Sequence, residues 1–237
     1  MKLVAVSQRV DIYPDRNERR DALDQRVGAF LLAAGFLPIP VPNIQCLAAG
    51  KGTLSQDSLN VWLEAVDPQA LVISGGNDIG TCVERDQTEN RLLGYAREQN
   101  LPVLGVCRGM QMMGLWAGAG LRSVTGHVCT RHQLEGEISG EVNSYHNHAL
   151  TECPRGFVSL AKSRDGEIEA IRHRQLPWEG WMWHPEREKK FDPRDILRLN
   201  ALFLPKLRDF KLSAEESTDS DRNEQIRSKS LVKDSRA

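Results

Sequence analysis

Leu101-Pro102-Val103-Leu104-Gly105-Val106-Cys107-Arg108-Gly109-Met110-Gln111-Met112-Met113-Gly114-Leu115-Trp116 is the stretch whose reading decides the fold. Its first four residues are an apolar run that reads as a buried strand, and Met110 to Trp116 reads as a helix. Between them stands a cysteine with a glycine two residues to either side. Gly-x-Cys-x-Gly between a strand and a helix is the pattern of a nucleophile elbow, with Cys in the place of Ser. The turn is too sharp for side chains to pass on both flanks, which is the steric reason for the glycines. The sulfur then stands above the sheet, facing the unpaired N–H groups of the helix's first turn. A lone cysteine in an α/β core is more often structural. The paired glycines and the strand–turn–helix context turn the reading toward a nucleophile.

Working outward, strands and helices alternate on the N-terminal side. Leu3 to Val6 is a short apolar strand followed by Ser7-Gln8-Arg9. Leu23, Val27, Phe30, Leu31 and Ala34 share one face of a helix, which Gly35 ends. Phe36 to Pro42 is a strand whose prolines cannot donate to a ladder, so it is expected to be short or to lie at an edge. Asn43 to Gln56 reads as a loop. Leu59 to Val66 is a second helix, closed by Asp67-Pro68, and Ala70 to Ile73 a buried strand. That strand runs into the glycine turn Ser74-Gly75-Gly76-Asn77-Asp78, and Gln87 to Asn100 reads as a third helix. Such alternation predicts a mostly parallel sheet with helices on both faces. Ligands bind such sheets outside the carboxyl ends of the strands. Ser7–Arg9, Ser74–Asp78 and Cys107 all fall there, so three separate stretches converge on one crevice.

The second half differs. Five of the six histidines lie between 121 and 175. Phe157–Ala161 and Glu167–Ile171 read as a hairpin through Asp165-Gly166, and Trp181-Met182-Trp183 as a strand ending in His184-Pro185-Glu186. Ile196, Leu199, Leu202 and Phe203 mark a last helix. Residues 1–212 are therefore read as one α/β domain and 213–237 as a charged tail too poor in apolar residues to order itself.

A net charge of −1 gives no reason to expect nucleic acid or an anionic membrane as partner. Five cysteines without regular spacing suggest neither a disulfide framework nor a zinc ribbon, and a reducing cytoplasm suits them. No stretch approaches the ~18 apolar residues of a membrane span, and the apolar run at the N-terminus is too short for a signal peptide.

A thiolate nucleophile needs a base and a group to orient it. On an extended segment residues i and i+2 point the same way, so His184 and Glu186 can meet. With this pair, Gly105-Val106-Cys107-Arg108-Gly109-Met110-Gln111 resembles the class I glutamine amidotransferases and their γ-glutamyl hydrolase branch, over roughly residues 1 to 210. The resemblance implies a three-layer αβα sandwich, flavodoxin-like, with a mixed, mostly parallel central sheet. It implies Cys107 as nucleophile, His184 as general acid/base and Glu186 as its orienter. It implies an oxyanion hole from the backbone N–H groups of Gly76 and Arg108. Gln111 matches the glutamine near the bound glutamyl group, and Asn143, Ser144, Tyr145 and His146 the segment that holds its α-amino and α-carboxylate groups.

The stretches 7–9, 19–24, 107–111, 127–132, 143–147 and 183–187 narrow the resemblance to a hydrolase whose leaving group carries a nucleotide diphosphate. Arg9 is the first candidate for contact with that phosphate, ahead of Arg16, Arg19, Arg20 and Arg131. Asp15, Glu18 and Asp21 interleave with those arginines, so much of that cluster also reads as a solvated helix start. The resemblance implies a small-molecule γ-glutamyl substrate, no metal and no organic cofactor, and leaves a homodimer open. Three other readings compete: a glutaminase unit that passes ammonia to a partner synthase, a metal protein using His127, His132, His146 and His148, and an inactive binding module. The second lacks any carboxylate–histidine helix motif. The third conflicts with the complete Cys107, His184 and Glu186 set.

Overall fold

Four-residue apolar runs with no polar alternation demand burial on both faces, and Ala70–Ile73 and Val103–Val106 receive it at the middle of a sheet. The computed structural model describes residues 1–43 and 58–204. The expected loop beyond Asn43 and the expected charged tail lie outside the described residues. The elements run β1 (Lys2–Val6), β2 (Arg9–Tyr13), β3 (Glu18–Ala22), α1 (Gln25–Ala33), β4 (Phe36–Pro40), α2 (Ser58–Val66), β5 (Ala70–Ile73), α3 (Val83–Glu98), β6 (Val103–Val106) and α4 (Arg108–Trp116). They continue with β7 (Leu121–Ser123), β8 (Val128–Gly136), β9 (Gly140–Tyr145), β10 (His148–Leu150), β11 (Phe157–Ser163), β12 (Ile168–His173), β13 (Trp178–Trp181) and α5 (Pro193–Phe203). Residues Met1–Phe203 form one compact unit.

Nine strands make the central sheet in the order β4-β1-β5-β6-β13-β12-β11-β8-β9. The first five are mutually parallel, and from β13 onward each neighbour is antiparallel. The sheet is thus mixed, as expected, and its parallel half carries the strand ends that face the crevice. On β6, Gly105 meets Met113 of α4, whereas Leu104 and Val106 line a small gap with Val27, Phe30 and Leu31 of α1. Successive residues of a strand point to opposite faces, so α4 and α1 cover opposite sides and the layers are αβα. Trp178, Trp181 and Trp183 are fully buried, the last two stacked with ring centroids 5.3 Å apart.

Several expectations need adjustment. The charged run at 15–21 is a hairpin of β2 and β3, not a helix start, turning at Asn17 with φ 48°. Helix α3 starts at Val83, four residues before Gln87; Glu84 and Asp86 in its first turn suit the positive end of a helix dipole. Strand β13 ends at Trp181, so Trp183 lies past it. Strands β7 to β10 fill the histidine-rich region, which shows no long apolar run. Gly35 takes φ +89° directly after α1, and β4 lies at a sheet edge, both as read.

The elbow explains its own glycines. A Cβ on Gly109 would stand 1.9 Å from the Ile73 carbonyl oxygen, and one on Gly105 2.5 Å from Met113 Sδ and 2.7 Å from the Gly109 carbonyl carbon. Gly109→Ala is expected to cost about 3 kcal/mol or more in a urea melt, since backbone must move to admit the methyl. Gly94→Ala, in α3 with open space around its Cβ, is expected to gain about 0.5–1 kcal/mol. Equal effects of the two substitutions would contradict the packing described.

Candidate active site

Cys107 is the residue between β6 and α4. Its φ of 51° and ψ of −105° lie far from ordinary strand or helix values. The strained turn is held from both sides: Cys107 N donates to the Trp181 carbonyl at 2.7 Å, and Gln111 N donates to the Cys107 carbonyl at 3.1 Å. The residue is buried, at 7% exposed.

His184 and Glu186 arrive from beyond β13. They do not lie on an extended segment, as expected from sequence; Pro185–Arg187 is a 3-10 turn. The turn still brings His184 Nδ1 to 2.6 Å from Glu186 Oε1, with both residues buried. The Cys107 side chain stands against the same ring and favours its charged form. Burial disfavours the charged ring, but Cys107 and Glu186 overcome it and push the His184 pKa up to about 9. The backbone of His184 is fixed by Asn143, whose Oδ1 accepts from His184 N at 2.9 Å while Nδ2 donates to His184 O at 2.8 Å. A Cβ on Gly75 would fall 2.7 Å from His184 Cε1, so the glycine loop lies directly against the imidazole.

Gly76, at φ +127°, is next in that loop, and a Cβ there would meet Arg85 Nη1 at 2.6 Å and Arg9 Cβ at 2.9 Å. Under the loop is an ion network that sequence reasoning missed. Glu89 and Arg85 are fully buried; Glu89 Oε1 accepts from Arg85 Nε at 2.9 Å and from Ser7 Oγ at 2.8 Å. Its other oxygen binds Arg108, which also pairs with Asp86. Arg85 Nη2 donates to the carbonyls of Ser74 at 2.7 Å and Gly75 at 2.8 Å. Strand-end residue Ser7, Arg85 beneath the glycine loop and the elbow arginine Arg108 therefore share one carboxylate. The only sequence signal was the i, i+4 spacing of Arg85 and Glu89 in a polar stretch that looked like a solvated face.

The remaining candidates divide. Gln111 Nε2 donates to the His148 carbonyl at 2.8 Å. Tyr145 is partly exposed, its ring edge-on to His184 at 5.7 Å with the Arg187 guanidinium 4.6 Å above it. Asn143 acts through His184, as described. Ser144 is buried and donates to the His127 carbonyl at 2.7 Å. His146 points away to a buried group of His127, His132 and Glu169; His148 is outside that group. Arg9 pairs with Asp11, Arg19 with Glu84, Arg20 with Glu18 and Arg131 with Glu188 and Glu141. A cavity of about 530 Å³ lined by Arg131, Glu188, Arg194 and Arg198 shares no residue with the Cys107 set.

The strand order and the strained cysteine turn define a flavodoxin-like α/β protein with a reactive-type residue at a strand end. Residues 53–202 match the family model for glutamine amidotransferase class-I, and the chain belongs to that family of amide-processing enzymes. The γ-glutamyl-CDP-amidate hydrolase of Campylobacter jejuni is 29% identical over 136 residues, covering 55% of this chain and 68% of its own length. A glutamine-hydrolyzing GMP synthase component from Methanosarcina barkeri is 32% identical over 135 residues, covering 52% of this chain and 66% of its own. A glutamine amidotransferase structure from Thermotoga maritima superposes with a TM-score of 0.55 at 17% identity, over 89% of this chain and 85% of that one. Among the described residues no helix is long and apolar enough to cross a membrane.

Two outcomes follow from the geometry. The His184 ring should titrate near pH 9 by NMR, and Cys107→Ala should lower that midpoint by removing one neighbour that favours the charged form. Because the folded pKa is raised above 6.5, the stability this group contributes is complete below about 6.5 and is lost as pH rises through about 9. Glu89→Gln, which leaves two buried guanidiniums short of a charge, should cost about 3–5 kcal/mol in denaturant unfolding. A cost under about 1 kcal/mol would show the network to be incidental.

Proposed function

We propose that the protein hydrolyses a γ-glutamyl amide through Cys107, His184 and Glu186. The observation that carries this reading is the His184–Glu186 contact of 2.6 Å beside a cysteine held in a strained elbow. Cys107 thiolate attacks the γ-carbonyl carbon and the carbonyl π pair moves onto oxygen. The oxyanion rests on the backbone N–H groups of Gly76 and Arg108, contacts of a kind worth about 3–4 kcal/mol each. His184 protonates the leaving nitrogen as the C–N bond breaks, which leaves a γ-glutamyl thioester. Water, deprotonated by the same His184, attacks the thioester carbonyl, and the C–S bond breaks to release glutamate and restore the Cys107 thiolate beside the protonated ring. Glu186 keeps the ring oriented throughout. This chemistry uses no metal and no organic cofactor.

The substrate proposed is γ-glutamyl-CDP-amidate, giving glutamate and cytidine diphosphoramidate for the phosphoramidate decoration of capsule polysaccharide in the cytoplasm. The similarity to the Campylobacter hydrolase supports it. So does the position of Arg9, half exposed beside Gly76, although its fork is held by Asp11 through Nε at 2.9 Å and Nη2 at 3.2 Å, a pairing that a phosphate has to displace. Gln111 and Tyr145 are proposed for the glutamyl group. A second reading, a glutaminase component that supplies ammonia to a synthase, is favoured by the similarity to the Methanosarcina GMP synthase component.

The test compares γ-glutamyl-CDP-amidate, a plain γ-glutamyl amine and glutamine as substrates. Wild type should prefer the nucleotide substrate and form a γ-glutamyl adduct on the Cys107 peptide by mass spectrometry. Cys107→Ala should abolish turnover. Arg9→Ala should lose about 1.5–3 kcal/mol of transition-state binding on the nucleotide substrate alone. Turnover retained in Cys107→Ala sinks the mechanism. Equal rates on all three substrates remove the nucleotide reading and leave a general γ-glutamyl hydrolase.

A further inference from the structure

We infer that His127, His132, His146 and Glu169 form a binding site for one divalent transition-metal ion, separate from the Cys107 centre. One ligand atom from each residue lies within 4.8 Å of all the others. Glu169 Oε1 is 3.3 Å from His146 Nε2, 3.7 Å from His127 Nδ1 and 4.0 Å from His132 Nε2. Tetrahedral zinc with metal–ligand bonds of about 2.0–2.2 Å sets its ligands roughly 3.3–3.5 Å apart. The groups, up to 4.8 Å apart, reach that spacing if the widest pair closes by about 1 Å.

Hydrogen bonding outside the cluster decides what faces inward. His146 Nδ1 is 3.1 Å from the His148 carbonyl, which can only accept, so Nδ1 carries the hydrogen and Nε2 presents a lone pair. His127 Nε2 is 2.8 Å from the Asp165 carboxylate, so Nε2 is the donor and Nδ1 presents a lone pair. A carboxylate or carbonyl behind an imidazole is the usual outer partner of a ligating histidine. The inward atoms are His127 Nδ1, His132 Nε2, His146 Nε2 and both Glu169 oxygens, and none of the five has a hydrogen-bond partner. Glu169 is fully buried, and His127 and His146 nearly so.

His127 Nδ1, His146 Nε2 and both Glu169 oxygens are therefore acceptors turned on one another with His132 Nε2 beside them, an arrangement that costs several kcal/mol if nothing satisfies it. A single proton shared between Glu169 and one ring would satisfy two of the five and leave three. One water has only two hydrogens to give. A cation satisfies every one of them and neutralises the carboxylate. Three imidazoles and one carboxylate are a donor set for zinc or a neighbouring first-row divalent ion rather than calcium or magnesium. Four protein ligands close the tetrahedron, which marks the site as structural rather than catalytic. A cavity of about 400 Å³ lined by His132 and Asp165 gives the ion a path from solvent.

The bound ion would tie together three parts of the antiparallel half. His132 is on β8 and His127 directly before it, His146 follows β9, and Glu169 is on β12, which β11 separates from β8 in the sheet. Asn143 on β9 holds the backbone of His184, so the clamp stiffens the support of the catalytic imidazole without touching the reacting atoms.

The test uses untagged full-length protein purified without chelator and analysed for metal by mass spectrometry. About one equivalent per chain is expected. Protein stripped with chelator should melt at least about 5 °C lower and recover on addition of zinc, and cobalt should give the intense visible bands of a tetrahedral site. His132→Gln and Glu169→Gln should each reduce bound zinc at least about tenfold. Cys107→Ala and His148→Ala should keep it. If Glu169→Gln does not fold, His132→Gln, at the best-exposed ligand, decides. Two results overturn the inference. One is stripped wild type that takes up no zinc, cobalt or manganese at micromolar concentration and shows no change in melting. The other is metal that disappears in Cys107→Ala but persists in His132→Gln, which would place it on the catalytic sulfur. Neither depends on turnover, so the site stands or falls apart from the hydrolase reading.

Discussion

The carboxylate of Glu89 is the point on which the crevice depends. Its two oxygens reach Ser7 after β1, Arg85 under the glycine loop after β5, and Arg108 in the elbow after β6. Three parallel strands would deliver their ends to one edge of the sheet in any protein of this architecture. Their loops need a further constraint to take one geometry, and a shared buried charge supplies it. Burying one carboxylate between two guanidiniums is costly in desolvation and is weak as a source of net stability. What it supplies is definition: the carbonyls of Ser74 and Gly75 are turned down onto Arg85, and the Arg108 side chain is drawn away from the sulfur, leaving only its amide beside Cys107.

This division separates what the residues disclosed from what they concealed. Gly-x-Cys-x-Gly was legible because a steric rule acts within five residues, and the clash distances at Gly105 and Gly109 follow it. Gly35 and the proline-rich β4 were legible for the same reason. The Arg85–Glu89–Arg108 network was not, because burial of charge is decided by what packs above it, and a polar helix face reads as wet by default. The β2–β3 hairpin hid behind its charges. Its alternation is partly polar on both faces, since much of it lies exposed. The His184–Glu186 pairing was anticipated by an extended-strand argument, whereas the chain uses a turn that Pro185 opens.

Glu169 shows the same limit from the other side. In an alternating strand it should face water. The antiparallel half of the sheet is covered at that point by the histidines of β8 and of the turn after β9, so an acidic residue stands in the interior with three rings around it. His146, matched by sequence to a substrate segment, belongs to that group, and its neighbour Asn143 serves His184. Asn143, Ser144 and His146 of that segment are buried, and Tyr145 alone of the four is exposed.

The proline-rich edge bears on how the molecule keeps to itself. Val41 N donates inward to the Val6 carbonyl, and direction alternates along a strand, so the amides of Leu37 and Ile39 also face β1. Positions 38 and 40 would turn their amides outward, and both are proline. The outer margin of β4 therefore presents carbonyl oxygens with no N–H groups between them at its centre. A stray strand from a nascent or damaged chain needs donors and acceptors in alternation to dock, and here it meets only half of the pattern. That margin of the nine-stranded sheet resists lateral growth into fibrils by its own backbone chemistry.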